Sequence, residues 1–278
     1  MASTPADLPT DLPARLIGHF VDKGREHQNQ NWSDIWNWDE SKLWDRGQPS
    51  RPLIDFLGSN PWVLQQANHG KTRPRALVAK GCGKGYDVVM LELHGYDVYA
   101  VDVSPKAVQV AREYAATELS EPGSINYSLE DDWRQTTTGT VKIINGDFFT
   151  HGWEEQCALD GNIRFDFIYD YTFLCALLPE MRKDWAQRMS ELLAPDGVLV
   201  CLKFPLWKAL SDPGPPWPLK GVDWNLLVQG GDGQISEPPE ETESPEGKCK
   251  RLLCIKPRKS YPIGRGTDML SVWALKEA

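Results

Sequence analysis

From residue 75 onward the chain alternates short apolar runs with stretches of helical periodicity, and the first run is followed at once by Gly81, Gly83 and Gly85. This is the pattern of βαβ units, in which each apolar run is a buried strand and each intervening stretch is a helix returning the chain to a mainly parallel sheet. Strands are expected at 76–79, 96–101, 141–144, 165–169 and 198–203, the last preceded by the turn Pro195-Asp196-Gly197. A helix over 86–94 closes on Gly95, a residue suited to the left-handed cap. Another opens at Ser104, an N-cap followed by Pro105, and carries the stripe Val108, Ala111, Ala115 and Leu119. Met181, Trp185, Met189 and Leu192 space a third. Two final apolar runs, 252–255 and 270–275, are expected to pair as an antiparallel hairpin on the sheet edge.

Such a sheet needs a core, and 41% hydrophobic residues in a 278-residue chain supply one for a single domain over 14–278. Residues 1–13 are expected to be a flexible tail, followed by Leu16, Phe20 and Val21 on one face of a short helix. Residues 229–248, rich in Pro, Gly and Glu, are expected to form a flexible acidic loop. The net charge of −9 offers no footprint for nucleic acid or anionic lipid, so neither is expected as a partner. No segment approaches the roughly 18 apolar residues of a membrane helix. The six cysteines lack any CxxC pair and read as reduced thiols in a cytoplasmic protein. His19, His27, His69, His94 and His151 have no metal-ligand spacing, and no metal is expected. A monomer or weak homo-oligomer is the expected state.

Gly81, Gly83 and Gly85 place bare backbone at a helix N-terminus, and Asp102 ends the next strand 17 residues after Gly85. That layout suits a nucleoside, with the acid accepting both ribose hydroxyls. A dinucleotide fingerprint would carry glycine where this chain has Tyr86, which argues against NAD. Asp147 and Phe148 follow the third strand, where an acid and a ring can hold the amino group and face of adenine. Together these point to S-adenosylmethionine (SAM) as the ligand. Trp32, Trp36, Trp38 and Trp44 fall within 13 residues of a segment otherwise full of Asn, Asp and Lys and demand a separate reason.

Further motifs supply it: Trp32-x3-Trp36-x7-Trp44-Asp45-x-Gly47, then Gly81-Cys82-Gly83-x-Gly85-Tyr86-Asp87. Phe165-Asp166-x-Ile168-x-Asp170-Tyr171-x-Phe173, Pro179-Glu180-Met181-Arg182 with Trp185-Ala186, and Gly214-Pro215-Pro216 follow. With these the chain resembles the thiopurine methyltransferase family, within it the plant and fungal halide and thiol methyltransferases, from about Trp32 to Leu275. The resemblance implies a Rossmann-like α/β fold of the class I SAM-dependent methyltransferases, with residues 14–60 as a tryptophan-rich lid. It implies that Trp32, Trp36 and Trp44 contact the cofactor, for which there is a physical reason: aromatic faces hold a sulfonium once water is excluded. Packing of the lid onto the core is the alternative role, and Trp38 matches no motif position. Phe204, Pro205, Pro216 and Trp217 look like the substrate-side wall. Phe204 stands where a tyrosine is familiar in the plant halide enzymes, which tilts the expectation toward an apolar thiol.

Transfer from a sulfonium needs alignment and exclusion of water rather than a catalytic triad. A thiol of pKa near 8.5 is already a few per cent thiolate at neutral pH. Tyr171 is expected to bound the cofactor or donate to the substrate. Asp170 is a candidate base and equally a hydrogen-bonded acid at a strand end. The activity expected is methyl transfer to the sulfur of a small thiol, giving S-adenosylhomocysteine. The alternatives are a halide, thiocyanate or bisulfide acceptor, O- or N-methylation of a larger metabolite, and SAM binding without turnover.

Overall fold

The computed structural model describes residues 12–38, 44–60, 73–79, 83–120, 127, 139–158 and 161–277. Seven strands form one sheet: β1 (Arg75–Val78), β2 (Asp97–Asp102), β3 (Thr140–Asn145), β4 (Phe165–Tyr171), β5 (Leu193–Lys203), β6 (Cys249–Ile255) and β7 (Met269–Leu275). Their order is β3-β2-β1-β4-β5-β7-β6. The first five run parallel, and β7 pairs antiparallel with both β5 and β6. Strand order therefore reverses between β1 and β4, which opens a crevice at the carboxyl ends of β1, β2 and β4.

Both faces of the sheet are covered, so the central strands are apolar on both sides. Leu77, Leu199, Cys201 and Trp273 face one core with Trp153, Trp185, Met189 and Trp224. Ala76, Val78, Val200 and Val272 face the other, with residues of helices α3 (Arg51–Ser59), α4 (Tyr86–Leu93) and α5 (Pro105–Ser120). Helices α6 (Arg182–Leu192) and α7 (Val222–Leu227) cover the first side. Ahead of the sheet lie α1 (Leu12–Phe20) and α2 (Gln28–Asn37).

The expected boundaries hold where local chemistry sets them. The Ser104 hydroxyl accepts the Ala107 N–H at 3.3 Å, capping a helix that starts at Pro105. Gly95 takes the left-handed conformation after α4. Two expectations are corrected. β5 begins at Leu193 rather than Val198: Phe165 pairs with Leu193 and Phe167 with Val198, so Pro195-Asp196-Gly197 forms a bulge inside the strand pairing. Val21 is 48% exposed and lies beyond the end of α1, while Leu16 and Phe20 are buried as expected. Segment 229–248, expected as a flexible acidic loop, makes these contacts with its surroundings. Arg182 Nη1 donates to the Gly233 carbonyl at 2.7 Å, Gly233 N–H donates to Asn225 Oδ1 at 2.9 Å, and Arg251 pairs with Glu241. Among the described residues no helix is long and apolar enough to cross a membrane.

Candidate active site

Three strand ends build the site. After β1, Gly83 and Gly85 both have positive φ, 56° and 88°. A Cβ on Gly85 would lie 3.3 Å from the Ala111 carbonyl oxygen in α5, so glycine here permits both the turn and the close helix contact. Gly81, with its neighbours Lys80 and Cys82, lies outside the described residues. β2 ends in Asp102, which is buried and whose Oδ1 accepts the Ser104 N–H at 2.9 Å. β4 ends in Tyr171, and the next residue, Thr172, holds φ at 66°, a costly conformation for a β-branched side chain.

Two adjoining hollows occupy the crevice. The first encloses about 550 Å³ out to its mouth and is lined by Trp32, Trp36, Trp44, Gly83, Asp102, Val103, Thr172 and Phe173, among others. The second, about 610 Å³, has Arg46, Lys84, Asp87, Tyr169, Tyr171 and Tyr261 in its wall and shares Trp36, Trp44, Gly83 and Thr172 with the first. Trp32 and Trp36 are one helical turn apart on α2 and so project together. Trp44 stands edge-on to both, with ring centroids 5.6 and 5.5 Å away. Helix α2 is fastened across the strand ends: Gln28 Nε2 donates to the Ala176 carbonyl at 2.9 Å and Asn29 Nδ2 to Asp147 Oδ2 at 2.7 Å. Just before it, Arg25 pairs with Asp184 at 2.5 Å. Trp38, 59% exposed, rests edge-on against His19.

Asp147 and Phe148 lie outside the lining of both hollows. Asp147 takes Asn29 on one oxygen and the Phe149 N–H on the other, so it serves as the docking point for α2. Phe148, expected to face adenine, is fully buried, with its ring among Trp153, Phe173 and the Arg188 guanidinium rather than in either hollow. Phe173, the neighbour of strained Thr172, supplies a ring to the first hollow instead.

Asp170 is buried, with Oδ2 accepting the Trp185 indole N–H at 2.8 Å and Oδ1 accepting the Leu174 N–H at 3.4 Å. Burial pushes its carboxyl up to about 6, against the pull of the Trp185 hydrogen bond and the backbone donors. It lines neither hollow. Asp170 therefore anchors α6 and the turn after β4, and the structure favours its structural role over that of a base.

Tyr171 stacks on Tyr261 at 5.4 Å between centroids, and Phe204 meets Tyr171 edge-on at 6.5 Å. Phe204, Pro205, Pro216 and Trp217 are absent from the lining of both hollows. Phe204 is only 2% exposed and supports Tyr171 from behind. Pro205 and Pro216 present their carbonyls to the Leu219 N–H and the Lys208 ammonium, and Trp217 N–H binds the Cys175 carbonyl. The expected effect of Phe204→Tyr is accordingly a loss of about 1–3 kcal/mol of stability from a hydroxyl forced into the core, with no change in acceptor preference. Denaturant unfolding beside paired acceptor assays checks it; an altered preference at unchanged stability would return Phe204 to the substrate wall.

Several lining residues escaped the sequence reading. Asp87 accepts the Ser50 N–H at 2.6 Å, and burial raises its carboxyl to about 6 against that bond. Lys84 pairs with Asp45 at 2.7 Å, pinning the tryptophan segment to the glycine turn. Asp45 and Asp87 lie inside the motifs already quoted, but nothing in their spacing shows that the two segments meet. Among the described residues no group of His, Cys, Asp and Glu is arranged to hold a metal ion.

The first hollow fits SAM. Its buried carboxylate at the end of β2 matches ribose hydroxyls, its three indoles suit a sulfonium, and the turn at Gly83 lets backbone approach the ligand. Sheet order and crevice together place the protein among the class I SAM-dependent methyltransferases. More narrowly, the chain belongs to the thiopurine S-methyltransferase family, whose defining pattern matches residues 27–237. It is 30% identical over 246 residues to thiocyanate methyltransferase 1 of Brassica oleracea, covering 87% of this chain and 89% of that relative. It is 34% identical over 206 residues to probable thiol methyltransferase 2 of Arabidopsis thaliana, covering 73% of each. Among solved structures, magnesium protoporphyrin IX methyltransferase from Synechocystis PCC 6803 with bound SAM shares the fold. Its TM-score is 0.51 at 13% identity, covering 90% of this chain and 97% of that one.

Proposed function

We propose that the protein transfers the methyl group of SAM to the sulfur of a small thiol. The observation that carries this reading is that every carboxylate among the described residues lining the hollows already takes a donor of the protein itself. No histidine is among them, and each carboxylate is engaged: Asp102 by Ser104 N–H, Asp45 by Lys84 and Gly47 N–H, and Asp87 by Ser50 N–H. Asp170 is sequestered behind the strand end. Such a site suits a nucleophile that ionises near neutral pH without help, as a thiol of pKa about 8.5 does and an alcohol does not. The two plant relatives, named for thiocyanate and thiol acceptors, both act on a sulfur-containing acceptor by name, in agreement with this reading.

When bound, SAM supplies an electrophilic methyl group on a sulfonium that leaves as a neutral thioether. Asp102 would hold the ribose hydroxyls, and Trp32, Trp36 and Trp44 would exclude water and present aromatic faces to the positive charge. Tyr171, in the wall of the second hollow, would donate a hydrogen bond to the acceptor sulfur and keep its own proton. A halide, thiocyanate or bisulfide acceptor is the second reading, favoured by that same hydroxyl, which is buried without a hydrogen-bond partner among the described residues.

The test is production of S-adenosylhomocysteine by the purified protein with small thiols, bisulfide, iodide and thiocyanate, with oxygen and nitrogen nucleophiles as controls. Turnover is expected with sulfur acceptors, thiols ahead of anions. Preference for iodide, thiocyanate or bisulfide over thiols would promote the second reading, and turnover confined to the oxygen or nitrogen nucleophiles would overturn both.

A further inference from the structure

Two polar groups with buried atoms line the second hollow, and the Arg46 guanidinium lies close enough to the Tyr171 hydroxyl to interact with it. One is the Tyr171 hydroxyl; the other is Arg46 Nε, also buried and without a hydrogen-bond partner among the described residues. Their neighbourhood is built rather than accidental. In the loop Trp44-Asp45-Arg46-Gly47, Asp45 Oδ1 accepts the Gly47 N–H at 2.8 Å, and Gly47 takes a left-handed φ of 68°. The other Asp45 oxygen binds Lys84 at 2.7 Å. The acid beside Arg46 is thus consumed by the loop's own fixation, and its charge is matched by a lysine. The Arg46 guanidinium then lies over the Tyr261 ring at 6.0 Å, and Tyr261 stacks on Tyr171.

Other ionisable groups face this arginine. Asp268 is buried and feels its charge; its Oδ2 takes the Ser260 hydroxyl, its Oδ1 has no partner among the described residues, and no carboxylate among them comes within 4.0 Å of the guanidinium. Asp87 is held by Ser50, and the Cys175 thiol is buried with its acidity suppressed. Arg46 can give a hydrogen bond to the phenol oxygen but not take its proton, so Arg46 Nε and the Tyr171 O–H are still two buried donors without an acceptor, a costly pair unless a ligand accepts from both.

We propose that Arg46, together with the Tyr171 hydroxyl, forms the acceptor's anion-binding site, so that the sulfur nucleophile is bound as a thiolate or as a small sulfur anion. This rests on the proposed function and adds to it the charge state of the acceptor and the residue that selects it. Arginine suits the task because its charge persists at every working pH and its weakly hydrated plane tolerates an aromatic neighbour. The sequence reading passed over Arg46 because a charged residue between an aspartate and a glycine looks like a solvated loop.

The experiment titrates thiocyanate calorimetrically into protein saturated with S-adenosylhomocysteine, for wild type, Arg46→Met, Arg46→Lys and Tyr171→Phe. Kd for S-adenosylhomocysteine and KM for thiocyanate and a small thiol are measured alongside. Arg46→Met is expected to weaken thiocyanate binding at least about tenfold, the scale of a lost hydrogen bond to a charged group. Its affinity for S-adenosylhomocysteine should stay within about threefold, and Arg46→Lys should recover part of the loss. Tyr171→Phe should cost less than Arg46→Met, and its fold does not depend on the arginine. Thiocyanate affinity unchanged in both single variants, or no thiocyanate binding by wild type, would sink the proposal. A loss of S-adenosylhomocysteine affinity as large as the loss for thiocyanate would also overturn it, assigning Arg46 to the cofactor. Anion binding that depends on Arg46, in a protein with no sulfur turnover, would uphold the anion site while refuting the methyl transfer proposed above.

Discussion

Asp102→Ala is expected to raise the Kd for S-adenosylhomocysteine by roughly 100-fold or more. The carboxylate sits at the end of β2 in the wall of the indole-lined hollow, buried, with one oxygen fixed by the Ser104 N–H. That bond sets the side chain before any ligand arrives, so its interaction with ribose hydroxyls is preorganised. Two hydrogen bonds from ribose to a charged acceptor are worth about 1.5–3 kcal/mol each, and 1.4 kcal/mol is a factor of ten. Asp102→Asn keeps an acceptor for Ser104 but loses the charge, and should fall between wild type and alanine. Titration calorimetry with the three proteins decides the matter, and an alanine variant binding within about threefold of wild type would remove Asp102 from the cofactor site.

The second large effect concerns Asp170, where stability and turnover are expected to part company. Its carboxyl is raised to about 6 by burial, so the native state holds the proton more tightly than the unfolded chain, whose value is 3.8. The sign follows: this group favours the fold most below about pH 4, and that contribution is lost as pH rises through 6. At one pKa unit per 1.36 kcal/mol, the loss across that window is on the order of 2–3 kcal/mol. Asp170→Asn should flatten this part of the stability profile, leaving the similar contribution of Asp87, also raised to about 6. Asp170→Ala should be less stable than either at pH 5, because the Trp185 indole N–H is left buried and unpaired at a cost of about 1–3 kcal/mol. Turnover by Asp170→Asn at 20 °C is expected within about fivefold of wild type. A fall of 100-fold or more with an unaltered melting profile would identify Asp170 as a base after all.

What the sequence made legible was chemistry that is local in the chain. A glycine with a positive φ, a serine three residues before the N–H it caps and an acid ending a strand all act within a few residues of themselves. The paths of β1 and β2, the start of α5 and the position of Asp102 were accordingly readable. Phe148 was not, because two adjacent aromatics after a strand give no clue to which one enters the core; that depends on Trp153, Phe173 and Arg188, distant in sequence. Nor was the bulge in β5, since Pro195-Asp196-Gly197 has the composition of a free turn and only the Phe165–Leu193 pairing shows otherwise. Segment 229–248 has few apolar side chains, yet Ile235 packs on the core and backbone groups accept and donate to Arg182 and Asn225, contacts that composition does not register. Arg46 and Tyr261 meet in one wall from positions 215 residues apart.

Tryptophans are unevenly placed in this chain, and the imbalance makes the protein its own optical sensor. Trp153, Trp185 and Trp273 are sealed in the core, where a ligand in the crevice does not touch them, so their emission forms a constant background. Trp32, Trp36 and Trp44 wall the hollow and would exchange water for ligand on binding. Changes in the wavelength and quenching of intrinsic fluorescence therefore report occupancy of the crevice directly, without dye or label.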